Sequence, residues 1–183
     1  MTKSPTITLD ELLSALPPET AVQSQETIRK AYAFAREAHA KKRRNSGELY
    51  IDHDLAVAYI LFQLGVDVNT IIAGLLHDSL YTHTGKVEAD LKPLFNHDII
   101  SLVLGLKNLQ DYTERELYKK YQQGNGDGRS LEVIRRAILS IIEWDIRVIL
   151  IRMADCLQDL RKANSLPPEK QYAVANEAMN IYA

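Results

Sequence analysis

Four side chains in this 183-residue sequence are of types that chelate a divalent cation: His53, the adjacent pair His77-Asp78, and Asp155. His77-Asp78 follows the apolar run Ile71-Ile72-Ala73-Gly74-Leu75-Leu76, where an imidazole and a carboxylate are costly unless partnered. Asp155 falls in an equally apolar stretch, Val148-Ile149-Leu150-Ile151-Arg152-Met153-Ala154, and a lone carboxylate there needs a partner too. His53 lies near the basic run Lys41-Lys42-Arg43-Arg44. Two imidazoles and two carboxylates from three separate helices form a mixed nitrogen and oxygen donor set. Such a set suits Mn, Fe, Co or Zn, with water completing the shell. An ion of this kind acidifies bound water and neutralises charge on a phosphoryl oxygen. Taken singly, each residue has a plainer explanation. A lone helical histidine is more often a hydrogen-bonded structural residue, Asp155 could pair with Arg152 or Arg147, and a His-Asp dipeptide is common by chance. The combination on separate apolar helices is what favours a metal site.

Positioning those side chains falls to helices. Period-3.6 patterning predicts helices over 24–41, from about Asp52 to Leu64 with Asp52 as N-cap, and from Val68 to Leu80. The third is apolar nearly all round and belongs at the centre of a bundle. A short helix is expected near Val87–Phe95, then one from Asp98 to Leu109, with residues 110–129 uncommitted around the loop signal Gly124-Asn125-Gly126-Asp127-Gly128. Further helices are expected over Ser130–Glu143 and Asp145–Lys162, and a last one starts at Pro167-Pro168-Glu169. The expected class is all-α, a compact multi-helix bundle with the metal site between its central helices. Residues 1–23 read as an N-terminal extension and 24–183 as the domain. The last helix still runs at Ala183 without a C-cap signal, which predicts a longer natural chain.

Composition narrows the function classes. Hydrophobic residues make up 46% and charged residues 25%, as in ordinary globular proteins, and 8 Gly with 6 Pro leave little room for a turn-rich β architecture. A net charge of −2, with no basic and aromatic platform, argues against nucleic acid. No apolar run approaches the ~20 residues of a membrane span, and the N-terminus lacks a signal-peptide core. The single cysteine, Cys156, fits a reducing compartment, so a cytoplasmic location is expected. Oligomeric state is not legible.

Several ordered segments together resemble the hydrolase (HD) domain of RelA/SpoT homologues, enzymes that make and degrade (p)ppGpp. They are Ala31-Tyr32-Ala33-Phe34-Ala35 with His39, then Ser46-Gly47-Glu48-Leu49-Tyr50-Ile51-Asp52-His53, Ala73-Gly74-Leu75-Leu76-His77-Asp78, Asp145 to Leu157, and Leu166-Pro167-Pro168-Glu169-Lys170-Gln171. The resemblance covers roughly residues 25–183. It implies that His53, His77, Asp78 and Asp155 hold the metal, usually manganese, and that Arg44 and Ser46 belong to the loop contacting a guanine base. It also implies a guanosine polyphosphate as ligand and a synthetase domain further along the natural chain.

Two positions depart from the family. Hydrolytic members place a Glu-Asp pair two residues after His-Asp to activate the attacking water, whereas this sequence has Tyr81-Thr82. Neither side chain replaces a carboxylate base. His83 is the neighbouring group that titrates near neutrality and is the candidate substitute. Where the family often has Asn, this chain has Asp159, a negative charge on the expected nucleotide-binding side. Three functions follow: a (p)ppGpp 3′-pyrophosphohydrolase with weak or lost activity, a catalytically silent nucleotide- and metal-binding regulatory domain of a synthetase, or an HD phosphohydrolase of another nucleotide. Of the basic run, Lys41, Lys42 and Arg43 read as surface charge beside a helix C-terminus.

Overall fold

A computed structural model describes residues 7–18, 20, 22–81, 85–122 and 145–182. Among these the chain forms eight α-helices and no strands. They are α1 (Leu9–Ala15), α2 (Val22–His39), α3 (Tyr50–Gln63), α4 (Val68–Leu75), α5 (Glu88–Leu91), α6 (His97–Gln122), α7 (Ile146–Lys162) and α8 (Pro168–Tyr182). A 3-10 turn, Ala163–Ser165, links the last two. The all-α expectation is met. The fold divides into two compact units, residues 1–103 and 104–183, the boundary falling within α6.

In the first unit α2, α3 and α4 pack on one another, and α1 packs on α2 and α3. Ile28, Ala31, Ala35 and His39 form the buried stripe of α2. Helix α3 buries Ile51, His53, Asp54, Leu55, Val57, Ala58, Ile60 and Leu61, leaving a narrow outer stripe of Asp52, Ala56, Tyr59 and Gln63. Residues 71–80 are all buried, which places α4 and its exit at the centre of this unit, as a helix without a polar face requires. The α3–α4 approach is close because residue 74 is glycine: a Cβ there would collide with the Leu61 side chain. Leu91 and Phe95 cover the other end, Phe95 meeting Phe34 edge-to-face at 6.1 Å between ring centroids.

Several element bounds differ from the sequence expectation. Helix α1 was not expected; it starts with a capping box in which Glu11 N–H donates to Thr8 Oγ1 at 3.2 Å and Thr8 N–H donates to Glu11 at 2.7 Å. Leu12 anchors it in the core. Helix α3 is capped by Leu49 rather than Asp52, because the preceding loop folds back, with Arg44 N–H on the Glu48 carbonyl and Tyr50 N–H on the Lys42 carbonyl. Helix α4 ends at Leu75, five residues short of the expected Leu80, and unwinds into three-residue turns. Helix α6 continues to Gln122, through part of the segment left uncommitted. The loop 124–128, the expected helix 130–143, and Thr82 and His83 lie outside the described residues.

In the second unit α7 packs against α8 and the 3-10 turn. Asp145 caps α7, its carboxylate accepting Arg147 N–H at 2.9 Å. Gly105 of α6 faces Val148, and Tyr182 O–H donates to the Met153 carbonyl at 2.5 Å. No helix among the described residues is long and apolar enough to cross a membrane.

Candidate metal centre

The first unit assembles its site from the ends of three helices and one loop. His53 sits in the first turn of α3, and His77-Asp78 in the turn that follows α4. The early end of α4 is what lets this pair face inward. The His77 ring takes its place against the last helical turn, with Nδ1 2.8 Å from the Gly74 carbonyl. A carbonyl only accepts, so Nδ1 carries the proton and Nε2 the lone pair. That lone pair is directed to the Asp78 side, with Nε2 3.4 Å from Asp78 Oδ1. The His53 and His77 rings lie 5.3 Å apart, centroid to centroid, and both are buried. His53 Nδ1 stands 3.4 Å from Glu48 Oε1. The Gly74 carbonyl on His77 Nδ1 is the arrangement that orients a histidine for metal binding through its other nitrogen.

Asp54, His77 and Asp78 offer ligand atoms that all lie within 4.8 Å of one another. The donor set fits a borderline divalent cation: buried, mixed nitrogen and carboxylate oxygen, and costly to keep buried without compensating positive charge. Part of that charge comes from Arg44, whose guanidinium reaches Asp78 Oδ2 at 3.2 Å and stands over the Tyr50 ring at 5.4 Å. Lys41, Lys42 and Arg43 are exposed, while Arg44 is turned inward. The loop that aims it is held by Arg43 Nη1 on the Gly47 carbonyl at 2.6 Å and by Gly47 at φ +88°, a left-handed turn that favours glycine. Ser46 is half-buried in the same loop, and Tyr81 is half-buried at the exit from the His77-Asp78 turn.

Asp155 and Asp159 belong to the second unit, one turn apart on α7. Asp155 is buried and bonded to Arg152, which also bonds Glu177 of α8. One of the two guanidinium partners weighed from sequence is thus realised. Arg147 instead pairs with Asp145 at 2.7 Å. Cys156, beside Asp155, is buried, and that burial pushes its thiol up to about 12.

Sequence reading missed Asp54. Its side chain is fully buried, with Oδ2 3.0 Å from His39 Nε2 and Oδ1 3.7 Å from His77 Nδ1. The signal was present: Asp54 continues the apolar stripe of Val57, Ala58 and Leu61, a position where a carboxylate must face the core.

Comparison with known proteins fits this geometry. The HD-domain family profile matches residues 31–183, and the chain belongs to that family. Among curated relatives, the bifunctional (p)ppGpp synthase/hydrolase SpoT of Escherichia coli K12 is 36% identical over 175 residues, covering 96% of this chain and 23% of that protein. The guanosine-3′,5′-bis(diphosphate) 3′-pyrophosphohydrolase of Aquifex aeolicus is 37% identical over 175 residues, 96% of this chain and 22% of that one. A GTP pyrophosphokinase of Myxococcus xanthus is 34% identical over 158 residues, 86% and 20%. The chain thus spans under a quarter of the length of these relatives. A solved structure described as a metazoan orthologue of SpoT that hydrolyses ppGpp superposes with a TM-score of 0.58 at 20% identity, covering 92% of this chain and 89% of that one. That likeness concerns the fold.

Proposed function

We propose that this chain is a manganese-binding HD domain of the (p)ppGpp 3′-pyrophosphohydrolase type in which hydrolysis is weak or lost. The observation that carries the reading is the buried His77-Asp78 pair with the Arg44 guanidinium on Asp78. It supports the reading because side chains able to ligate a metal lie beside a guanidinium, a group suited to a phosphate or base, in a chain of the HD family. In this reading His53, His77, Asp78 and Asp155 hold the ion, Arg44 and Ser46 meet the guanine side of the nucleotide, and Asp159 lies near its ribose and phosphates. The ion supplies Lewis acidity toward a phosphoryl oxygen and toward water. Arg44 orients and neutralises. A cytoplasmic setting belongs to the same reading.

Tyr81 and Thr82 set the expected rate. A phenol with a reference pKa near ~10 does not take a proton from water as a carboxylate does. General-base assistance is worth about 10²–10⁴ in rate, so its loss leaves little turnover. Purified protein with Mn²⁺ and ppGpp should release pyrophosphate at or just above the metal-free control. The double variant Tyr81→Glu, Thr82→Asp should raise that rate by about 10²–10⁴. A starting protein already as fast as the double variant would remove the basis for the reading.

Tyr81 also favours a second reading, a catalytically silent nucleotide-binding domain that regulates a synthetase domain. It predicts saturable ppGpp binding without turnover. Turnover of a different nucleotide in an otherwise ppGpp-inactive protein would instead favour another HD phosphohydrolase.

A further inference from the structure

Asp54 is close enough to His77 and Asp78 to join a donor set, but it is not one of the four ligands proposed above, and its burial demands a role. It is fully buried, and so is His39, whose Nε2 lies 3.0 Å from Asp54 Oδ2. The other carboxylate oxygen, Oδ1, lies 3.7 Å from His77 Nδ1, on the same edge of the ring that bonds the Gly74 carbonyl. His39 is fixed in turn, stacked on Tyr50 at 4.9 Å with the ring planes 19° apart. The same Tyr50 ring carries the Arg44 guanidinium on its way to Asp78. All of these residues lie in the first unit. A carboxylate is costly to bury and is kept where neighbouring donors or cations repay its desolvation.

We propose that Asp54, held from behind by His39, is a positioning residue that orients and polarises the His77 imidazole for metal binding through Nε2. This rests on the reading of His77 as a metal ligand. Asp54 stands at the Nδ1 edge, and Asp78 meets the Nε2 edge, 3.4 Å away. The two carboxylates thus face opposite sides of one ring, one behind and one beside the metal position. Nδ1–H bonds the Gly74 carbonyl, and a negative charge 3.7 Å behind it acts through space in the same sense as the carboxylate of a carboxylate–histidine–metal triad, making Nε2 a stronger donor. His39 cannot reach the metal position through this chain of contacts except by way of Asp54, so its influence on the ion is indirect. It also separates the two roles experimentally.

The test uses Mn²⁺ affinity of the full chain together with the ¹⁵N shifts of the His77 ring. Asp54→Asn keeps the shape and removes the charge. It should weaken Mn²⁺ binding by about 10–100-fold and shift the His77 ring nitrogens towards a less polarised imidazole. His39→Leu, which takes the polar ring away from Asp54, should reproduce part of both changes, and His39→Gln, which keeps a polar group beside Asp54, should restore them. A folded Asp54→Asn protein with unchanged Mn²⁺ affinity and unchanged His77 shifts would overturn the proposal. If Asp54→Asn does not fold, the His39→Leu and His39→Gln pair decides: equal affinity in both and in the starting protein overturns it. If the starting protein binds no Mn²⁺, the metal reading itself fails. The His77 shifts in Asp54→Asn then still decide whether Asp54 polarises the ring.

Discussion

Replacing Gly74 by alanine tests whether the contact between α3 and α4 limits the site. A Cβ at residue 74 would overlap the Leu61 side chain, and Leu61 is fully buried, so it has no solvent to rotate into. Forcing a methyl into a close-packed core costs about 1–3 kcal/mol. Replacing glycine inside a helix offsets about 0.5–1 kcal/mol of that through backbone entropy. The net loss is therefore about 0–2.5 kcal/mol, which in a chain of this length lowers Tm by up to about 10 °C. Gly74 also supplies the carbonyl that holds His77 Nδ1, and the turn that follows its helix sets His77 beside His53. Displacing α4 should therefore weaken Mn²⁺ binding along with stability. The assay is a thermal melt with a parallel Mn²⁺ titration, repeated in a Leu61→Ala background where the overlap is gone. There Gly74→Ala should be neutral or stabilising, a non-additivity expected only of residues in contact. A higher Tm for Gly74→Ala in the starting protein would refute the packing argument.

Further predictions follow from the cap of α4 and from Cys156. Asp67 caps α4, accepting Thr70 N–H at 3.1 Å and the Thr70 hydroxyl at 2.5 Å. Asp67→Ala should cost about 1 kcal/mol by urea denaturation, and Asp67→Asn or Asp67→Ser much less. Burial holds the Cys156 thiol protonated up to about 12, against an ordinary value of 9.0. The thiolate is the nucleophile, so the folded protein should resist thiol reagents at pH 8 and react promptly only when unfolded. The unfolded chain loses this proton first. Cys156 therefore stabilises the fold fully below about pH 9, and that contribution falls as pH rises towards 12. A Cys156→Ser protein with the same alkaline stability profile would contradict it.

Much of the architecture was legible because α2 and α7 alternate buried and exposed residues at a helical period, while α3 and α4 read as largely apolar runs. What escaped was set by tertiary contacts or by short range. Helix α1 is only seven residues long, too short for a period to show, although Thr8 and Glu11 carry its capping box in plain view. The end of α4 was misplaced because Leu76 and Leu80 continue the apolar pattern through a segment that is buried without being helical. His53, His77 and Asp78 were recognised by residue type and setting. Asp54 was not, since a polar residue beside a histidine near a helix start reads as solvent-facing. Its place on the apolar stripe of Val57, Ala58 and Leu61 was the available signal, and the packing of α2 and α4 on α3 confirms that it faces inward. Arg44 could be separated from its three basic neighbours by resemblance, but its contact with Asp78 depends on how the loop folds back along Glu48 and Tyr50.

Mn²⁺ titration of the full chain asks directly whether the buried His77-Asp78 turn is a metal site. Binding should saturate at one ion per chain, and Asp78→Asn should severely weaken it while the helical fold is retained. No saturable binding, or equal binding in the folded Asp78→Asn protein, would contradict the metal reading.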